Sequence, residues 1–208
     1  DEAHHMESAV TGALSFRMTQ MDLERMLKEL GGSSAGLLGR ILTETNTALR
    51  PSDFGLLQQK IKRSTDQAFR VEQLARQFFN VLGEFIARQR EGQPPSNYSW
   101  QLRIMAATRT LPGWDDVEMM WAQVGETMAL LLKSLDEIYK ALGELAADGH
   151  DSVEDSMGNL SNLMRRMGEA EAASSGLMHK PSNELIYWVE VNPRGERLSL
   201  NAAPLRVG

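Results

Sequence analysis

Apolar residues recur along the middle of this chain in alternating steps of four and three, the spacing that lines one face of an α-helix. A first stripe over residues 53–91 predicts one long helix, and a second over 117–145 predicts another. Two long stripes of the same period can cover each other, so we expect the two helices to pack antiparallel within the chain. The first stripe consists of Leu57, Ile61, Ser64, Ala68, Val71, Ala75, Phe78, Leu82 and Phe85.

Shorter helices are predicted before the long pair. One covers residues 6–14, and another begins at Thr19, whose hydroxyl can cap the first turn, and ends at the Gly31-Gly32 pair. Helical spacing continues over 37–50, where Pro51 disfavours helix in its predecessor and restarts the chain. The start of the chain is therefore expected to be helical.

One more helix and a small sheet are predicted after the long pair. Ser152 and Asp155 have capping-box spacing and predict a helix through Met167, followed by a polar loop over 169–183. Residues 185–191 and 197–200 have strand patterns on either side of a turn and predict a hairpin, and 101–108 predicts a short strand. The predicted fold class is mainly α, an antiparallel long-helix bundle with a small antiparallel β-sheet or hairpin near the C-terminal end.

Composition and charge narrow the functional classes. The chain has 208 residues and a formal net charge of -6, which argues against extensive wrapping of nucleic acid but leaves room for a local basic track. It has no cysteine, so it holds neither a disulfide nor a thiolate-ligated metal site. The longest apolar run, 128–132, is far shorter than the ~20 residues that cross a bilayer. We expect a cytoplasmic protein with no membrane segment.

The sequence Asp1-Glu2-Ala3-His4 has the composition of a nucleotide-hydrolysis site. An Asp at the end of a core strand can hold the Mg²⁺ that bridges the ATP phosphates, and the adjoining Glu can orient or deprotonate the attacking water. The alternative is a capped helix start. Such a site also needs a phosphate-binding loop, and the chain contains no Gly-Lys pair. We expect a fragment of a longer protein that cannot hydrolyse ATP by itself.

Two segments near the end of the chain are Trp188-Val189-Glu190-Val191 and Leu200-Asn201-Ala202-Ala203-Pro204-Leu205. Together with the acidic box that runs into a helix and the long central helices, they resemble the DinG-like and XPD-like superfamily-2 DNA helicases. In that family a helical insertion, the arch domain, follows the acidic box of the first motor domain. The resemblance divides the chain into 1–18, the box and first helix leaving the motor, 19–184, the arch, and 185–208, the hairpin and return to the motor. It also implies that the two ends of the chain lie close together.

The resemblance further implies the roles of three residues. Asp1 resembles the carboxylate that coordinates the Mg²⁺ of ATP, Glu2 the catalytic base, and His4 the residue that couples nucleotide to DNA. The implied cofactors are ATP and Mg²⁺, whereas an iron-sulfur cluster, where the family has one, would lie outside this chain. The implied partners are the rest of the helicase motor, single-stranded DNA that passes beneath the arch, and a protein bound to the arch. In the family, unwinding runs 5′ to 3′.

Residues that contact DNA are predicted near the first strand, where Trp100, Arg103 and Arg109 bring aromatic and cationic groups together. Stacking and charge are what sequence-neutral binding of single strands uses, although Trp100 could equally anchor the core. Seven cations on the first long helix are accompanied by acidic residues and are interpreted as a solvated face. They are Lys60, Lys62, Arg63, Arg70, Arg76, Arg88 and Arg90.

Two other functions remain as alternatives. The long helices could form a coiled-coil module that docks a partner protein or dimerises, in which case one stripe would be exposed and the chain would self-associate. A freestanding metalloenzyme using His4, His5 and His150 is the other alternative, but none of the four histidines lies in an HExxH-like spacing.

Overall fold

A computed structural model describes residues 15–94, 96–194 and 197–205 of the chain. Within these ranges the protein is mainly α, with five helices and a four-stranded antiparallel sheet, which confirms the predicted fold class. The helices are α1 (Gln20–Leu30), α2 (Gly36–Thr45), α3 (Pro51–Gln89), α4 (Trp114–Ala147) and α5 (Glu154–Met178). The strands are β1 (Phe16–Thr19), β2 (Trp100–Arg103), β3 (Leu185–Val191) and β4 (Leu198–Pro204), and short 3₁₀ turns cover Thr108–Thr110 and Asp151–Val153.

The described residues form two compact units. The sheet unit consists of those in Asp1–Gln20, Arg76–Ala122 and Ala172–Gly208, and the helical unit consists of Met21–Ala75 and Gln123–Glu171. Helices α3, α4 and α5 each contribute residues to both units. This division follows packing, whereas the division at residues 18 and 184 follows the helicase resemblance and stays a prediction.

In the sheet unit the strands lie in the order β1-β4-β3-β2. Phe16 of β1 is opposite Ala202 of β4, so a strand near the start of the chain pairs with one near its end. The expectation that the two ends lie close together is confirmed for these described residues.

Aromatic pairs fix the direction of the long helices in the sheet unit. Phe78 on α3 packs edge-on against Trp121 on α4 at 5.1 Å between ring centroids, and Phe85 packs the same way against Trp114 at 5.2 Å. Since the α3 partner advances while the α4 partner recedes, the two helices run antiparallel, as predicted. The Trp121 Nε1–H donates to Ser175 Oγ at 3.0 Å, which brings α5 into the same core.

In the helical unit the stripes of α3 and α4 are both buried. Leu57, Ile61 and Val71 are buried on α3, as are Met128 and Leu135 on α4. Burying each such side chain contributes about 1.5–3 kcal/mol, so these stripes form a large part of the core of the unit.

Polar contacts join the shorter helices to α5 in the same unit. Ser156 Oγ donates to Glu44 Oε2 of α2 at 2.7 Å, and Arg166 forms an ion pair with Glu29 of α1. Helix α2 therefore contacts α5 through a hydrogen bond, and α1 contacts α5 through an ion pair.

Three sequence predictions differ from the structure. The loop predicted over 169–183 is wrong over 169–178, where α5 continues to Met178 with Ser174 and Leu177 buried, and it is confirmed over 179–183. The strand predicted over 101–108 is only the four residues of β2, and the chain then leaves the sheet where the Thr108 hydroxyl donates to the Arg103 carbonyl at 3.1 Å. Strand β1 was not predicted. The helix predicted over 6–14 lies outside the described residues.

Candidate nucleic-acid interface

Strand β2 presents its alternate side chains to opposite faces of the sheet. Trp100 is opposite Val191 and Leu102 is opposite Val189, and because both valines are buried this is the core face. Gln101 and Arg103 therefore lie on the outer face, where both are exposed. Two of the three residues predicted to contact DNA, Trp100 and Arg103, thus belong to different faces.

Trp100 lies at the edge of the core face, beside a cation. The guanidinium carbon of Arg90, just beyond the end of α3, is 5.6 Å from the centroid of the Trp100 ring, within the range of a cation–π interaction. Tyr98, two residues before Trp100, is 81% exposed. Together Arg90, Tyr98 and Trp100 supply one cation and two aromatic rings at this edge.

Arg103 belongs to a set of four side chains that crosses the outer face of the sheet. It is opposite Trp188 on β3, Trp188 is opposite Asn201 on β4, and Asn201 is opposite Arg17 on β1. With strands about 4.8 Å apart, this cross-sheet row of Arg17, Asn201, Trp188 and Arg103 spans about 14 Å. It places an exposed cation on each edge strand, with the half-buried Trp188 ring and the buried Asn201 amide between them.

The indole of Trp188 is a reason to regard the row as a binding surface. Its Nε1 is buried without a hydrogen-bond partner among the described residues, whereas Trp114 Nε1 donates to the Met178 carbonyl at 3.2 Å. The neighbouring Asn201 amide donates to Ser199 Oγ at 2.9 Å. A buried N–H with no acceptor costs about 1–3 kcal/mol, so a ligand oxygen beside Trp188 would be favourable.

Sequence reasoning missed Arg17 and Trp188 as site residues. The alternation along 185–191 contains a usable signal, since it puts Trp188 on the face opposite to the buried Val189. Trp188 and Asn201 share the β3–β4 hairpin, whereas Arg17 and Arg103 come from strands distant in sequence, and only the sheet register brings the four together.

Arg109 has a structural environment. Its Nη2 and Nε donate to the Leu177 carbonyl at 2.8 and 3.2 Å, and Nη2 makes a longer contact of 3.4 Å with the Gly176 carbonyl. Burial lowers the pKa of Arg109, and nearby Tyr187 and Glu118 partly oppose that shift. A cation at these carbonyls satisfies acceptors in the last turn of α5 and stabilises that end of the helix. Arg109 therefore supports the end of α5, whereas Trp100 and Arg103 remain candidates for contact with DNA.

Arg109→Ala is expected to lower the free energy of unfolding by about 2 kcal/mol, because carbonyls at the end of α5 lose a charged donor. Urea denaturation followed by far-UV circular dichroism measures the change. Arg103→Ala is the matched control, since Arg103 is exposed on β2, and it should stay within about 0.5 kcal/mol of the wild type. Equal stabilities of the two variants would show that Arg109 does not support the helix end.

The residues predicted for nucleotide chemistry, Asp1, Glu2 and His4, lie outside the described residues, as does His5. In the described part of the chain no group of three or more His, Asp or Glu side chains could hold a metal ion. Over the same ranges no helix is long and apolar enough to cross a membrane.

Comparison with known proteins finds no match to this chain among family models, curated proteins or solved structures. The helicase resemblance therefore depends on the quoted residues alone. The function that it implies is a proposal.

Proposed function

We propose that this chain is the arch domain of a DinG-like or XPD-like DNA helicase, where it guides or gates single-stranded DNA over the motor domain. The observation that carries the proposal is the pairing of β1 with β4, in which Phe16 is opposite Ala202. An inserted domain leaves and re-enters its host at neighbouring points, and adjacent ends are what allow such an insertion. The long antiparallel helices α3 and α4 between these strands also fit an arch.

For the DNA contact within this function we assign the cross-sheet row. Arg17 and Arg103 can bind phosphates while Trp188 stacks on a base, the combination that sequence-neutral binding of single strands uses. Recognition of single strands on the face of a four-stranded sheet by aromatic residues is a known mode. Arg103 thus keeps its predicted role, Trp100 with Arg90 forms a second candidate contact at the sheet edge, and Arg109 is assigned to the end of α5.

The nucleotide chemistry in this proposal belongs to the complete helicase. Asp1 would hold Mg²⁺, Glu2 would act on the attacking water, and His4 would report the γ-phosphate to the DNA side. A phosphate-binding loop elsewhere in the same protein would complete the site. Its absence from the complete protein would contradict the proposal.

Glu2→Gln in the complete helicase is expected to reduce ATP hydrolysis by about a hundredfold, because an amide cannot accept the proton of the attacking water. Phosphate release in the presence of single-stranded DNA measures the effect. The same change in the 208-residue chain should leave its far-UV circular dichroism unaltered. Turnover within twofold of the wild type would contradict the assignment of Glu2.

The alternative function is a coiled-coil interaction module that docks a partner protein or dimerises. A module of this kind would present an apolar stripe, yet the stripes of α3 and α4 are both buried within the chain. This favours a monomer and hence the arch. A concentration-dependent dimer in sedimentation velocity would instead favour the module.

A further inference from the structure

The structure sorts the cations of α3 by their surroundings. Arg76 takes part in an interaction of its own, and Arg90, just beyond the end of α3, lies over the Trp100 ring. Lys62, Arg63 and Arg70 are all exposed, and no hydrogen bond or ion pair engages them within the described ranges. The sequence alone predicts one solvated face for all seven cations. It does not distinguish Lys62, Arg63 and Arg70 from the cations that have partners.

An exposed aromatic ring lies among these three cations. Phe69 is 60% exposed, and Tyr98 is the only other aromatic side chain of the described residues that is exposed. It follows Lys62 by seven residues, as Arg70 follows Arg63, and seven residues are nearly two turns of helix. The basic-aromatic strip of Lys62, Arg63, Phe69 and Arg70 therefore occupies one side of α3 over about 12 Å, and all four residues belong to the helical unit.

We propose that the basic-aromatic strip binds single-stranded DNA, with phosphates on Lys62, Arg63 and Arg70 and a base stacked on Phe69. This inference rests on the proposed function and adds a further contact to it, on the part of α3 that belongs to the helical unit. The chemistry is the combination of cations and an aromatic face that binds single strands without regard to sequence.

Charge complementarity favours a polyanion over a protein as the occupant. The chain as a whole has a net charge of -6, yet the three unpaired cations on this side of α3 are accompanied by one exposed carboxylate, Asp66. Neutral amides, Gln59 and Gln73, flank the strip on the same exposed side. A protein-docking face is built around a contiguous apolar patch, whereas Phe69 is surrounded by polar and charged residues.

Fluorescence anisotropy with a labelled oligo(dT) 20-mer tests the strip in the 208-residue chain at low salt. The triple variant Lys62→Gln/Arg63→Gln/Arg70→Gln should bind at least tenfold more weakly. The slope of log affinity against log salt should fall by about 2 in magnitude, because each phosphate that the protein neutralises on a single strand contributes about 0.7. Phe69→Ala should weaken binding by about tenfold, since the base has no ring to stack on, while leaving the salt slope unchanged.

Matched controls are available in the same unit. Arg25→Gln/Lys140→Gln/Arg165→Gln removes the same charge from exposed, ion-paired cations, and Leu130→Ala removes an exposed apolar side chain from α4. Each control should bind within about twofold of the wild type. Circular dichroism establishes that every variant is folded.

Three results would overturn the proposal that the strip binds single-stranded DNA. They are an undetectable affinity of the wild-type chain for the oligonucleotide, a strip variant that binds like its control, and equal competition by polyglutamate, which would indicate a general anion site. None of these bears on ATP hydrolysis by the complete helicase. The strip can therefore fail while the proposed function stands, and loss of the Glu2 effect would remove the function independently of the strip.

Discussion

Trp121→Ala is expected to lower the free energy of unfolding by about 4 kcal/mol. Trp121 is fully buried, and its ring packs edge-on against Phe78 at 5.1 Å. Its Nε1–H also donates to Ser175 Oγ at 3.0 Å, so the substitution removes a large apolar side chain and a hydrogen bond between α4 and α5 together. Urea denaturation followed by far-UV circular dichroism gives the free energy.

Two further variants divide this effect into its parts. Trp121→Phe keeps most of the ring packing but cannot make the hydrogen bond, so its cost should be about 1–2 kcal/mol. Met119→Ala removes a side chain from the same helix that is 56% exposed, and it should change stability by less than about 0.5 kcal/mol. A Trp121→Ala variant as stable as Met119→Ala would show that α3, α4 and α5 do not share this core.

The long helices could be predicted from the sequence because their stability depends on local periodicity. The stripe that includes Leu57 and Phe78 predicted α3, and the stripe that includes Trp121 and Leu135 predicted α4, with ends that differ by a few residues from those observed. Steps of four and three are visible in a single segment, so no knowledge of the partner helix is needed.

The sheet and the end of α5 depend on partners that are distant in sequence, and they were harder to predict. Strand β1 has four residues, and it is stabilised by pairing with β4 about 180 residues later. The polar residues after Glu169 resemble a loop, yet they remain helical because Ser174 and Leu177 are buried and Arg109 binds the final carbonyls. Local polarity therefore gave the wrong prediction where tertiary contacts decide.

The candidate site shows the same division. Arg103 was identified from its neighbourhood in sequence, but its closest partner on the outer face, Trp188, lies on a strand that only register can align. On α3 the sequence shows which residues are cations, whereas the structure shows which exposed cations of the helical unit lack a partner in the described part of the chain, namely Lys62, Arg63 and Arg70. The cross-sheet row and the basic-aromatic strip therefore both depend on three-dimensional information that periodicity does not contain.

Gly31→Ala is expected to lower the free energy of unfolding by about 3 kcal/mol. Gly31 has a φ of 69°, in the left-handed region, and follows the last residue of α1, where its N–H donates to the Leu27 carbonyl at 3.0 Å. A Cβ at this position would lie 2.1 Å from the Ala35 carbonyl oxygen, which is backbone and cannot rotate away. The substitution must therefore displace the turn between α1 and α2.

Gly168→Ala is the matched control, because the same added methyl group would meet nothing within 4 Å on α5. Alanine is the better helix former, so this variant should gain about 0.5–1 kcal/mol of stability. The two substitutions are chemically identical. If urea denaturation shows changes of opposite sign in the free energy of unfolding, the difference arises from backbone conformation and local space. If Gly31→Ala also proves neutral or stabilising, the left-handed turn that ends α1 does not exist in solution, and the predicted stop at Gly31-Gly32 has another cause.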